Sequence, residues 1–116
     1  MRSRLSAAVL MIVSFQAVAA VPDCTSAEAW PASMAFATLK NAQLLDNDNV
    51  DFSKTRVVRL SSGNVGKNVY KQIHDVTFIL KSGDRVEAIT RNDASSDECS
   101  MSAVDVYVIS KHLGGH

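Results

Sequence analysis

The sequence predicts an α+β domain: one N-terminal helix packed on a four-stranded antiparallel meander sheet, closed by one disulfide. Three observations lead there. Apolar residues recur at spacings of three and four in one stretch, Thr25 to Leu45. After Asp51 the period changes to two and stays there through four further segments. Two cysteines, Cys24 and Cys99, remain once the N-terminal segment is set aside.

That first segment reads as an export signal and not as part of the fold. Arg2 and Arg4 supply a positive start, Leu5 to Val13 is almost wholly apolar, and Ala17-Val18-Ala19-Ala20 offers small residues to a peptidase. Cleavage after Ala19 or Ala20 fits, with Ala20 favoured, which divides the chain into a signal peptide (1–20) and a single domain (21–116). The apolar run of about 14 residues is shorter than the ~20 of a spanning helix. No membrane span is expected after cleavage, and the location expected is periplasmic or secreted.

The helix comes next. Ala32, Ala35, Phe36, Leu39, Ala42 and Leu45 form one apolar stripe, Pro31 suits a first helical turn, and the run Asp46-Asn47-Asp48-Asn49 reads as its stop. The expected span is 31–45. Leu39 lies on that stripe and is expected to be buried.

Four strands are expected to follow, at Thr55–Leu60, Val69–Leu80, Arg85–Arg91 and Val104–Ser110. Val76 and Phe78 alternate with Thr77, Val86 and Ala88 with Arg85 and Glu87, and Val104, Val106 and Val108 with Asp105 and Tyr107. Ser82-Gly83 is a tight hairpin signal, and Ser61–Asn68 reads as a longer connection. Short connections favour an antiparallel meander with the helix over its apolar face.

Composition narrows the function classes. Without Arg2 and Arg4, ten basic residues stand against twelve acidic, a net charge of −2. No basic patch is available to displace the counterions of a nucleic acid. In an oxidising compartment a lone cysteine pair is most simply a Cys24–Cys99 disulfide, which would tie the start of the helical segment to the loop before the last strand.

Candidate chemistry is sparse. The stretch Asn92–Ser102 carries three carboxylates, four hydroxyls and no base. Its Asp93, Ser95, Ser96, Asp97 and Glu98 are the candidate partner-binding residues, although a solvated loop whose Asp and Ser residues cap turns around a structural cysteine is the simpler explanation. Asp46–Asp51 begins like a calcium loop but has Val50 at the third ligand position and Val57 where a bidentate Glu belongs. Cys99 with His74 is a weak nucleophile–base pair, because a disulfide sulfur is no hydrolytic nucleophile. His112 and His116 alone have metal-ligand spacing, and they lie near the tail. No catalytic residue, metal or cofactor is assigned. His74, with Tyr70 and Tyr107 on an exposed sheet face, is kept as a candidate ligand contact.

In element order alone, this helix-plus-meander resembles cystatin-like and lysozyme- or β-lactamase-inhibitor architectures. The resemblance implies a small exported fold that binds another protein. Two expectations result. The first is a non-enzymatic binding protein of the bacterial cell envelope, an inhibitor or immunity protein acting on a basic hydrolase. The second is a small-ligand-binding domain or minor enzyme using the sheet face around His74. A pocket holding His74 with a carboxylate would favour the second, and a projecting acidic loop flanked by exposed aromatics the first.

Overall fold

Pro31 sets where the helix begins. It lacks an N–H, which the first turn does not use, and its fixed φ suits that position. In the computed structural model, which describes residues 20–112, the helix α1 runs Trp30–Asn41. It is the first regular element, but residues 20–29 precede it. Of the signal peptide expected at residues 1–20, all but Ala20 lies outside the described residues, as does His116.

The helix ends four residues before the expected Leu45, and the Asp/Asn run does not stop it. Gln43 takes a left-handed conformation (φ 61°). The N–H of Gln43 then bonds Lys40 O (2.9 Å) and that of Leu44 bonds Leu39 O (3.0 Å). These are the two bonds of a Schellman cap, with Gln where Gly is usual. Asp46–Asn49 forms a separate turn, in which Asp46 Oδ1 accepts from the N–H groups of Asp48 and Asn49, both at 2.8 Å. Leu45 is buried after all, outside the helix.

The sheet has strands β1 (Arg56–Gly66), β2 (Val69–Ile79), β3 (Arg85–Ala94) and β4 (Asp105–His112), in spatial order β1-β2-β3-β4 and antiparallel throughout. The expected meander is therefore present. Gly83 turns the β2–β3 hairpin at φ 95°, a conformation glycine adopts without strain. The expected Ser61–Asn68 connection is instead mostly strand. β1 continues to Gly66, and Lys67-Asn68 make the turn, with Asn68 at φ 52°. Register shifts place Leu60, Val65 and Ile109 at bulges in the two edge strands, where their side chains are exposed. Bulges disrupt the open ladder and discourage edge-to-edge pairing.

One face of the sheet is covered and the other is open. The covered face divides in two. Val76, Phe78, Val86 and Ala88 pack with Ala32, Ala35 and Leu39 of α1, together with Leu45 and Val50. Phe36 makes edge-to-face contacts with Phe78 (6.0 Å) and Phe52 (5.1 Å). Towards the other end the same face turns polar, with Gln72, His74, Thr90 and Asn92 all buried. There the cover is the extended segment Pro22–Cys24, bound by the Cys24–Cys99 disulfide across 75 residues of sequence. Among the described residues no helix is long and apolar enough to cross a membrane.

Candidate functional site

The acidic stretch does not form one loop. β3 extends through Asn92, Asp93 and Ala94, which pair with Gln72, Lys71 and Tyr70. Asp93 therefore sits on the open face, opposite Lys71. The loop proper begins at Ser95, which is buried. Its hydroxyl accepts from the N–H groups of Asp97 (3.3 Å) and Glu98 (3.2 Å), and its own N–H donates to Glu98 O (2.8 Å). The turn closes on itself in this way and leaves the side chains of Ser96, Asp97 and Glu98 exposed.

The surroundings hold that turn from three sides. Ser96 N–H donates to Asn68 Oδ1 of the β1–β2 turn (3.1 Å). Asn92 Nδ2 donates to Cys99 O (2.8 Å), and Met101 N–H to Asp93 O (3.1 Å). Trp30 Nε1 donates to Ser102 O (3.0 Å), and the disulfide joins Cys99 to Cys24. Asn68 and Trp30 were not assigned to this site from the sequence. Asn68 gives a signal in retrospect, because Asn tolerates the left-handed turn that brings its side chain back towards the loop.

The open face beside the loop carries a cross-strand ion pair. Arg91 donates to Asp105 Oδ2 (2.9 Å) and, more weakly, to Tyr107 Oη (3.5 Å). Hydrogen bonding to Asp105 and the nearby Tyr107 hold the Arg91 pKa above its ordinary value. Tyr107 is exposed, as expected, and stands next to a shallow cleft of about 290 Å³ bounded by Lys71, Arg91, Asp93 and Asp105. Farther along the face a second cleft, about 210 Å³, holds Asp75 and Glu87 between Arg56 and Arg85. A hydrogen bond with Asp75, then burial, then the negative charge of Asp75 hold the Glu87 pKa above the ordinary carboxylate value.

The face around His74 differs from expectation. Tyr70 and His74 do not line an exposed surface: both are on the covered face with Gln72, and His74 is 0% exposed. The physical reason is parity. Residues 70, 72, 74, 76 and 78 alternate in step with the apolar Val76 and Phe78, so they share the buried side. His74 lines neither cleft. Burial pushes its pKa down, the charge of Arg59 pushes it further down, and Asp23 opposes them. Compared with family models, curated proteins and solved structures, the chain matches none.

Proposed function

We propose that this protein is an exported, non-enzymatic binding module of the bacterial cell envelope, an inhibitor or immunity protein whose contact surface is the loop Ser95–Met101 with Tyr107 at its flank. Support for export comes from the N-terminal pattern of basic, apolar and small residues and from the disulfide. The observation that carries the reading is the preorganisation of the loop. Its backbone is bonded to the β1–β2 turn and to β3, and its Cys99 is joined to Cys24 ahead of the helix, while Asp97 and Glu98 face solvent. A loop already held in place loses little entropy when a partner docks on it. An acidic rim suits a basic partner, such as a cationic wall-degrading hydrolase, and complementary charge acts chiefly on the association rate.

The test is stopped-flow association with cationic peptidoglycan hydrolases, using wild type and the double variant Asp97→Lys/Glu98→Lys. Asp93 stays unchanged, because it lies in the sheet between Lys71 and Arg91 and its reversal would perturb the fold. The expected result is association slowed by about tenfold or more at low salt, with its salt dependence reversed. A bound hydrolase whose association rate ignores the reversal removes the loop from the contact surface.

A further inference from the structure

The polar half of the covered face has a cover of a different kind from the apolar half. In register across the sheet, Arg59 of β1 stands opposite His74 of β2, and His74 opposite Thr90 of β3. One step along, Ser62, Gln72 and Asn92 form the next row. His74 Nδ1 and Nε2, Thr90 Oγ1, Gln72 Oε1 and Asn92 Oδ1 are all buried without a hydrogen-bond partner. Buried polar groups are normally paired, so a row of unpaired ones marks a place held by its surroundings and not by its own interactions.

What holds it is a short strap. Pro22 O accepts from Gln72 Nε2 (2.8 Å) and from Arg59 Nη1 (3.1 Å). Pro22 and Cys24 are buried, and Cys24 is fixed to Cys99. Asp23 between them is exposed, and its Oδ1 already accepts from Thr25 N–H (3.1 Å) and Oγ1 (2.6 Å). No helix or strand is broken if residues 21–23 lift away, so this opening requires far less free energy than unfolding the domain.

We propose that the strap at Val21–Asp23 is an acid-released cover: protonation of His74 lifts it and bares the polar row Gln72–His74–Thr90–Asn92, while the Cys24–Cys99 bond limits how far it opens. The imidazolium would carry two N–H donors where neither ring nitrogen has a hydrogen-bond partner under the closed strap, and it would stand opposite the fixed charge of Arg59. The charged groups acting on the ring are Arg59 from β1 and Asp23 from the strap; its β3 neighbour Thr90 is neutral. Asp23 is the one group favouring the charged ring, and its carboxylate is engaged by Thr25. Lifting the strap admits water to the buried ring and releases Arg59 Nη1 from Pro22 O. The apolar half under α1 contains no titrating group and stays closed.

The test uses the intact oxidised protein as recovered from the producing cell. The His74 Cε1–H resonance is followed by NMR between pH 8 and pH 4, alongside the nuclear Overhauser contacts of Pro22 with Gln72 and of Leu39 with Phe78. The expected result is loss of the Pro22–Gln72 contacts, at least fivefold, at the same midpoint as His74 and below its ordinary value of 6.5, with Leu39–Phe78 unchanged. His74→Gln should keep the Pro22–Gln72 contacts to low pH. Asp23→Asn leaves the buried row intact and removes the one charge that favours imidazolium, so it should move both midpoints down together. Pro22–Gln72 contacts that persist through the His74 titration overturn the proposal. So does simultaneous loss of the Leu39–Phe78 contacts, or a strap midpoint that Asp23→Asn leaves in place.

Discussion

Reducing the Cys24–Cys99 bond opens a loop that spans 75 residues of sequence. In the chain-entropy account the cross-link removes ~2.1 + 1.5R ln n cal/mol/K from the unfolded ensemble, so this loop length corresponds to roughly 4.5 kcal/mol at 25 °C. A domain of this size has a stability of about 5–14 kcal/mol, so the bond accounts for a third of it or more. The structure adds a local effect, since Cys24 is fully buried and the bond anchors both the Pro22–Cys24 strap and the Ser95–Met101 loop. The assay is urea unfolding of the oxidised protein, the reduced protein and the Cys24→Ser/Cys99→Ser variant. Reduced wild type and variant should both lose about 3–5 kcal/mol, and both should bury less in the unfolded state, giving a larger m-value. A loss below about 1 kcal/mol in both would refute the reasoning, because it would mean that the unfolded chain is already constrained without the bond.

Three other outcomes are expected. Gln43→Gly relieves a left-handed backbone in the helix cap and should raise stability by about 1 kcal/mol in thermal unfolding, where a loss would show that the Gln43 side chain contributes more than its strain costs. Leu39→Asp places an unpaired charge at a fully buried position against Phe78 and Val86 and should abolish the cooperative unfolding transition; a stable, cooperative variant would refute the packing described. Glu87 has a folded pKa raised above its ordinary 4.5, so its contribution favours the fold below that value and is lost as pH climbs through the folded value. Asp75→Asn should remove that loss and leave the protein slightly more stable at pH 7, by about 0.2–1 kcal/mol, as expected for relieving a cross-strand like-charge pair; an unchanged pH slope between pH 4 and 7 would show that the two carboxyls do not interact.

The order of elements was legible because each rests on a local period. The stripe Ala32–Ala35–Leu39 and the alternation Val76–Phe78 and Val86–Ala88 identify a helix and a sheet with one buried face, and a cysteine count of two identifies the staple. The ends of the elements were less legible. The αL residue that stops α1 is a glutamine, a residue type that carries no cap signal. The extension of β3 through Asn92–Ala94 runs through weak strand formers and comes from pairing with Tyr70–Gln72.

Tyr70 and His74 show where local pattern stops. Their parity with Val76 and Phe78 was present in the sequence, but polar Gln72 and His74 interrupt the apolar reading of that face, so Tyr70 was expected to be exposed. What buries this end of β2 is the contact of Pro22 with Gln72 across 50 positions and with Arg59 across 37. By itself, then, the sequence determined the elements, their order, the parity of the two central strands and the disulfide, since each depends on residues whose spacing or count carries the signal. Only the tertiary structure decided what lies over each half of the covered face. A strand's alternation states that one side is buried, and it carries no information about which distant segment covers it.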